Sequence, residues 1–262
     1  MVVMGGTTPL FILSFRHRDE LTGTAEGAGW QPIAARRVDN AESRFIASGS
    51  QVAVVDARGG ISAHTGQDCI PHAGHVTGEH HSAQANMMAR ETVPQAMSDA
   101  FETATGPLSE RLFAALLAAE GEGGDVRGRQ SAALVVVGPE GEPWRRMVDL
   151  RVEDHTDPLE ELRRLLTLQR AYDLAGAADE LLAAGRVEEA GERYREASKI
   201  APESDELLFW AGLALAQAGD LDAGVNAVRQ AAERQPNWLV LLDRLSKDFA
   251  PAGAQVRDRL SR

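Results

Sequence analysis

The spacing of apolar residues changes along the chain, and this change divides the sequence into two parts. Between Gln51 and Val152, short apolar runs of strand length are separated by glycine-containing turns, which is typical of β-strands. Two stretches with helical spacing, residues 91–104 and 107–120, follow the third of these runs. Strands are predicted at residues 51–56, 61–65, 82–88, 131–137 and 147–152, with a loop at residues 66–80. Hairpins interrupted by a pair of helices predict an α+β layered domain.

The second part of the chain contains an internal repeat of 34 residues, the period of the tetratricopeptide motif. Its clearest pairs are Pro202 and Pro236, Gly185 and Gly219, Ala197 and Ala231, and Leu181 and Leu215. The glycine suits the end of the first helix of each hairpin, and the proline ends the second helix. We therefore predict tetratricopeptide-like helical repeats over residues 173–262. The helix after Asp157 and a helix through Trp238 are expected to cap the two ends.

Composition narrows the class of protein. The 262 residues carry a formal net charge of -12, which disfavours a general nucleic-acid or membrane-surface binder. The single cysteine, Cys69, excludes an internal disulfide. No stretch approaches the roughly 20 apolar residues of a membrane span, and Arg16 to Arg18 follow the first apolar run instead of preceding it, unlike a secretory signal. We expect a cytoplasmic protein that uses no cofactor.

An ordered series of short motifs runs from Gln51 to Tyr172. It comprises residues 52–56 (VAVVD), 63–66 (AHTG), 69–71 (CIP), 73–75 (AGH), Ser82, Gln84, Asn86, Met87, 123–125 (GGD), 127–133 (RGRQSAA), 148–152 (VDLRV), Asp154, His155, Asp157 and Pro158. This series resembles an Ntn-hydrolase-like family, the domain-of-unknown-function family number one thousand and twenty-eight. The resemblance implies an αββα sandwich and an amide-bond hydrolase with an N-terminal Thr, Ser or Cys nucleophile, whose own α-amino group is the base. It implies no particular substrate.

The chain departs from the family pattern at its N-terminus. Family members carry Thr or Ser in a strand close behind the initiator Met, and residues 1–50 show no counterpart apart from a weak match near residues 38–44. A truncated or frame-shifted gene and a genuine pseudoenzyme both account for this departure. We expect an atypical leader at residues 1–37, disordered in one interpretation, an incomplete sandwich at residues 38–172 and an impaired nucleophile.

Thr7 is the one candidate for a processed N-terminal nucleophile, since cleavage after Gly6 would expose its amine. Against this role, Pro9 cannot donate within a strand, and the only lysines of the chain are Lys199 and Lys247. The alternative is a leader without catalytic function.

Two further sets of residues are candidates for substrate binding or catalysis. Substrate-binding candidates are Asp125, Arg127, Arg129 and Gln130 in a glycine-rich loop, and Asp149 and Arg151 on a strand. Arginine can hold a carboxylate with two hydrogen bonds, but the same residue types also form structural ion-pair networks. Asp154 could orient His155 as a general base. The alternative for that pair is an ordinary helix-capping turn.

Cys69, His72 and His75 have a spacing compact enough for zinc. The alternative is a buried thiol with hydrogen-bonded histidines, so the expected metal content is none. The leading hypothesis is an Ntn-hydrolase-like amide hydrolase. The alternatives are a non-catalytic module that binds a protein or peptide, or another copy of the chain, through its repeats, and a metal-dependent hydrolase using the Cys69 group.

Overall fold

The computed structural model describes residues 2–4, 11–14, 49–55, 59–138 and 146–262. It is a mixed α+β structure of two compact units, Met1–Arg163 and Arg164–Arg262. The division between them falls inside one long helix, Pro158–Ala183. The expected boundary between residues 172 and 173 lies in the same helix.

The first unit is built on a six-stranded antiparallel sheet. Its strands are β1 (Val2–Met4), β2 (Phe11–Ser14), β5 (Gly74–Thr77), β6 (His81–Ala85), β7 (Ala132–Val137) and β8 (Arg146–Val152). They are arranged in the order β5-β6-β2-β1-β7-β8. A separate hairpin consists of β3 (Gln51–Val55) and β4 (Ile61–Thr65). The strands expected near residues 51, 61, 82, 131 and 147 are all present, with ends shifted by a few residues.

Three strands were not expected from the sequence. β5 lies inside the segment 66–80 that was predicted as loop, because its four residues include one glycine and one histidine and show little apolar periodicity. β1 and β2 come from residues 1–37, which were expected to form a leader outside the domain. Both are short apolar runs, which periodicity alone does not identify as strands.

Two helices, α1 (Val93–Thr103) and α2 (Leu108–Gly121), cover one face of the sheet. α1 packs against β5 and β6, and α2 packs against β7. Their buried positions, among them Met97, Phe101, Leu112 and Leu116, recur at three- and four-residue spacing. On β6, His81 points to this helical face, because its imidazole contacts Ser98 of α1.

The β3–β4 hairpin packs against β2, β5 and β6 of the sheet. Gln51 and Thr65 face the sheet, whereas the neighbouring Val52 is 48% exposed. On β6, Ser82 and Gln84 alternate with His81 and are therefore on the face away from the helices, and both are buried. The first unit thus has three layers: the two helices, the six-stranded sheet in the middle, and the hairpin.

The second unit is entirely helical in the described residues. The helices are α3 (Pro158–Ala183), α4 (Val187–Ile200), α5 (Asp205–Gln217), α6 (Leu221–Arg234), α7 (Asn237–Arg244) and α8 (Gly253–Leu260). The 34-residue spacing has a structural counterpart, because Gly185 and Gly219 follow the ends of α3 and α5 with φ of +75° and +96°. These are left-handed conformations that glycine adopts without a Cβ clash. α7 contains Trp238, as expected.

None of the described helices is both long enough and apolar enough to cross a membrane.

Candidate functional site

The glycine-rich loop, residues 121–131, connects α2 to β7. Gly123, Gly124 and Gly128 have φ of +109°, +56° and +98°, conformations that other residues rarely adopt. The loop is tied to the segment that follows β6: the Ala89 amide donates to Gly124 O at 2.9 Å, and the Val126 amide donates to Met87 O at 2.9 Å. Two motif runs that are far apart in sequence are therefore held side by side.

Asp125 and Arg127 form an ion pair inside this loop. The Asp125 carboxylate accepts the Arg127 backbone amide at 2.8 Å and its Nε at 2.9 Å, and only 7% of the Asp125 side chain is exposed. Burial alone would raise the pKa of Asp125, but the hydrogen bonds from Arg127 outweigh it, so that this pKa is lowered. Asp125 stays ionised and fixes the loop, while the Arg127 side chain remains 37% exposed.

Arg129 is held by carboxylates from two helix ends. Its Nε lies 2.6 Å from Glu120 Oε1 near the end of α2, and its Nη1 lies 3.3 Å from Asp157 Oδ2 just before α3. The hydrogen bond to Glu120 raises the pKa of Arg129. Arg129 therefore binds carboxylates, as expected of arginine, but those carboxylates are the protein's own.

Gln130 joins the loop to the turn before α3, because its backbone carbonyl oxygen accepts a hydrogen bond from the backbone amide of His155 at 2.9 Å. The imidazole of His155 is used locally as well, since Nδ1 accepts the Asp157 amide at 3.0 Å. Asp157 Oδ1 in turn accepts the Glu160 amide at 3.2 Å and caps α3, as the sequence predicts. Among the described residues, no hydrogen bond joins Asp154 to His155. The geometry favours the capping interpretation for this turn.

The loop borders a small depression in the first unit. Its lining includes Met88, Glu120, Asp125, Arg129, Gln130 and Ser131. The predicted substrate-binding residues Asp125, Arg129 and Gln130 thus meet at one hollow. The depression is polar where Arg129 and Gln130 lie and apolar at Met88.

Asp149 and Arg151 lie on one face of β8, as the two-residue period of a strand predicts. Arg151 Nε donates to Asp149 Oδ1 at 3.1 Å, and Arg146 also pairs with Asp149. The hydrogen bond from Arg146, and then that from Arg151, lowers the pKa of Asp149. Asp149 is opposite Val135 in the middle of the β7–β8 pair, away from the ends of these strands. These residues form a surface ion-pair cluster of their own.

The structure does not bring Cys69, His72 and His75 together as one group of three ligands. The described residues contain no group of three or more His, Cys, Asp or Glu side chains placed to hold a metal ion. His72 has a positive φ of 70° in the turn before β5. His75 instead contacts a hydroxyl, because its Nδ1 lies 2.8 Å from Thr65 Oγ1.

This contact belongs to a polar cluster of Gln51, Thr65 and His75, which joins the hairpin to the sheet. Gln51 Nε2 lies 3.0 Å from Thr65 Oγ1, and donates to Gly74 O at 2.8 Å and to Ala85 O at 3.2 Å. The sequence left His75 with two interpretations, a metal group or a hydrogen-bonded histidine, and gave no role to Thr65, so the cluster was not predicted. The available signal was that Gln51 begins the first predicted hairpin strand and Thr65 ends the second, so that the two residues pair at the open end of the hairpin.

The polar cluster and the glycine-rich loop lie at the same end of the sheet. Gly74 pairs with Ala85 at this end of β5 and β6, and Ala132 pairs with both Met4 and Val152 at this end of β1, β7 and β8. The pairing of Val2 with both Ile12 and Leu134, and of Ile12 with Ala83, connects the two halves in one register. We call this end, which carries residues 86–88, 121–131 and 154–157, the loop end of the sheet.

Comparison with known proteins gives the family. The family described as "Family of unknown function (DUF1028)" matches residues 19–162, more than half of the 262-residue chain. The chain belongs to the DUF1028 family. Its matched region contains every residue of the loop end and ends one residue before the division between the two units. Thr7 lies outside both the matched region and the described residues.

A solved DUF1028 structure, protein SPO2555 from Silicibacter pomeroyi, is similar to this chain at 35% sequence identity. The similarity covers 44% of this chain and 50% of that one, with a TM-score of 0.38. The chain therefore spans about half the length of this DUF1028 protein. No curated protein matches the chain.

Proposed function

We propose that the first unit is an Ntn-hydrolase-like domain that hydrolyses an amide bond in a substrate bound at the loop end of the sheet. The observation that carries this proposal is the convergence of the motif runs. Residues 86–88, 121–131 and 154–157, together with the polar cluster, are all at one end of an antiparallel sheet. Loops at one end of a rigid scaffold are the usual place for binding and catalytic residues.

The chemistry of the loop end suits a substrate with a negatively charged group. The guanidinium of Arg127 is partly exposed while its partner Asp125 is buried, so that the pair presents a cation to solvent and hides the anion. Arg129 lines the depression beside it. An arginine fixed by protein carboxylates is pre-organised, which lowers the entropy lost when it binds a substrate carboxylate.

The test is hydrolysis of a panel of N-acyl and aminoacyl p-nitroanilides by the full-length chain, with and without a free carboxylate on the substrate. We expect release of p-nitroaniline, a preference for carboxylate-bearing substrates, and a raised KM for Arg127→Ala. Arg146→Ala is the matched control, because Arg146 also pairs with an aspartate but lies on β8, where we expect no effect. Release no faster than from heat-inactivated protein for every substrate would contradict the proposal.

A second function is favoured by the helical unit, whose period and helix pairs support tetratricopeptide-like repeats that bind a peptide. Tyr172 of α3 and Glu206 of α5 are 34 residues apart and are joined by a hydrogen bond from the phenol to the carboxylate. Trp210, one turn after Glu206, makes an edge contact with Phe249 at 5.9 Å between ring centroids. Tyr172 is 40% and Phe249 68% exposed, so these residues form a partly exposed aromatic row with an acidic group in it.

Such a row suits an apolar peptide with basic residues, since aromatic side chains dominate binding energy and Glu206 provides charge complementarity. A displayed library of peptides with this composition tests the idea on the full-length chain. Binding should be weakened by Trp210→Ala and Phe249→Ala and be unaffected by Gln230→Ala, a change at an exposed polar residue of α6. Equal binding by all four proteins would rule out this surface.

A further inference from the structure

Thr65 and His75 form a hydroxyl–imidazole pair with the geometry of a nucleophile and its base. Their atoms Oγ1 and Nδ1 are 2.8 Å apart, within the range in which a general base takes a hydroxyl proton. We infer that Thr65 is the acyl-accepting nucleophile of this chain and His75 its general base. This inference rests on the proposed amide hydrolase and assigns its nucleophile to the described part of the chain.

The surroundings of Thr65 leave its hydroxyl hydrogen available to His75. Gln51 Nε2 also contacts the hydroxyl, at 3.0 Å, and an amide nitrogen can only donate. The hydroxyl hydrogen therefore does not point to Gln51. In the tautomer with its proton on Nε2, His75 accepts that hydrogen at Nδ1. The N–H of Gln51 then stabilises the negative charge that develops on the oxygen as the proton leaves.

The pair is open to a substrate. His75 lies on the face of the sheet that meets the hairpin and is exposed. Thr65, on the hairpin, is half-buried. A second hydroxyl–imidazole pair, Ser98 and His81, has a similar separation of 2.8 Å, but both residues are only 3% exposed. That pair lies between the sheet and α1, where no substrate reaches it. Accessibility separates the two pairs.

Gln84 is the buried neighbour of His75. It is directly opposite His75 on the neighbouring strand, so the two side chains leave the sheet on the same face. Its side-chain nitrogen donates to Ser82, whereas its oxygen Oε1 is buried and has no hydrogen-bond partner among the described residues. Only 1% of Gln84 is exposed, so this oxygen is closed to a substrate, as Ser98 and His81 are.

The reaction balances without a cofactor. Thr65 Oγ1 attacks the carbonyl carbon of the amide while His75 Nδ1 takes the hydroxyl proton. The C–N bond then breaks, His75 returns the proton to the leaving amine, and an ester remains on Thr65. A water molecule, deprotonated by His75, hydrolyses the ester, which releases the acid and restores the hydroxyl.

The experiment is acylation of the full-length protein by p-nitrophenyl acetate, with the modified residue located by peptide mass spectrometry. The variants are Thr65→Val, Thr65→Ser and His75→Gln, with Thr77→Val as the matched control. Thr77 is an exposed threonine of the same strand and face as His75. Far-ultraviolet circular dichroism and a thermal melt of each variant show whether it folds.

We expect an acetyl ester on Thr65 in the parent and in Thr77→Val, an ester on the introduced serine in Thr65→Ser, and none at that position in Thr65→Val. The loss of a general base costs about 100-fold or more, so His75→Gln should acylate at least that much more slowly. It should also lose the dependence of the acylation rate on pH. A structural role for His75 would not produce this change in the pH profile.

The alternative results separate the two proposals. Acetylation of an N-terminal Thr, Ser or Cys side chain instead of Thr65 would overturn the assignment of the nucleophile and leave the amide-hydrolase proposal intact. An unmodified protein that also releases no p-nitroaniline from any anilide would overturn both.

Discussion

Gly212 of α5 and Gly224 of α6 face each other so closely that neither has room for a side chain. A Cβ placed on Gly212 would lie 2.7 Å from Gly224 O, and one placed on Gly224 would lie 2.5 Å from Gly212 O. Glycine usually weakens a helix. Here, the absence of both side chains permits backbone contact between two antiparallel helices, which explains why a glycine replaces the alanine found in the first repeat at Ala190.

Replacing either glycine by alanine should therefore destabilise the helical unit. Steric overlap with a backbone oxygen typically costs about 1–3 kcal/mol, which outweighs the roughly 1 kcal/mol that alanine gains in helix propensity. We expect Gly212→Ala and Gly224→Ala to lower the urea midpoint of unfolding, measured by circular dichroism. Gly176→Ala is the control: Gly176 also lies inside a helix, but a Cβ there meets nothing within 4 Å. That variant should be more stable than the parent, and an equal loss in all three would contradict the argument.

His81 should make stability depend on pH. It is buried against Phe101, and its imidazole contacts Ser98. Burial lowers its pKa most strongly, Glu102 partly opposes this by raising it, and Arg111 lowers it further. The folded pKa is thus below the unfolded value of about 6.5, so the unfolded chain binds the proton more readily. Stability is complete above that value and is lost as the pH falls through it toward the folded pKa.

The measurement is the urea midpoint between about pH 5 and 8, the range in which histidine titrates. His81→Gln should be less stable than the parent at the upper end and show a smaller decline on acidification. His64→Gln, a change at an exposed position of the hairpin, should keep the parental slope. Parallel curves for the parent and His81→Gln would show that this histidine does not carry the dependence.

The sequence predicts those parts of the fold that are set by local periodicity. The strand at Ile61–Thr65 and the two helices packed on the sheet follow from apolar spacing, and Asp157 and Pro158 mark the start of α3. β5 could not be found in this way, because Gly74 and His75 are not strand formers and the strand exists through pairing with β6. The central position of β1 and β2 is likewise a result of long-range pairing.

The candidate site shows the same limit. The sequence predicts the residues of the glycine-rich loop, but not that Arg129 would find its carboxylates in Glu120 and Asp157, which approach it only in the folded chain. His75 is a second example. Its spacing from Cys69 and His72 is compact enough for a metal site, whereas its hydrogen-bond partner, Thr65, is brought to it only by the packing of the hairpin on the sheet.

Asp125 should control the order of the glycine-rich loop. Asp125→Asn keeps the shape of the side chain but removes the charge that holds Arg127, and a hydrogen bond to a charged group is worth about 1.5–3 kcal/mol. We expect faster amide hydrogen exchange in peptides that cover residues 121–131. Asp149→Asn is the matched control, because it also removes an arginine partner, on β8. Unchanged exchange in the loop would show that the glycine conformations alone fix it.

Trp238 joins α7 to α5 through a hydrogen bond and a stacked ring. Its Nε1 donates to Asp205 Oδ2 at 2.7 Å, and its ring stacks on Phe209 with centroids 4.8 Å apart. Asp205 also lies in the first turn of α5, where a negative charge is favourable. Trp238→Phe removes the donor and keeps an aromatic ring, so we expect a loss of about 1.5–3 kcal/mol, the value of a hydrogen bond to a charged group. Trp238→Ala removes both and should cost about 3–5 kcal/mol.

Asp205→Asn separates these contributions. It leaves an acceptor for Trp238 but removes the charge, so its loss of stability should be smaller than that of Trp238→Phe. The double variant should lose less stability than the sum of the two single variants, because both changes affect the same interaction. Chemical denaturation of the full-length chain, followed by tryptophan fluorescence for the Asp205 variant and by circular dichroism for all, measures these differences. Strict additivity in the double variant would mean that the hydrogen bond contributes nothing to the stability of the helical unit.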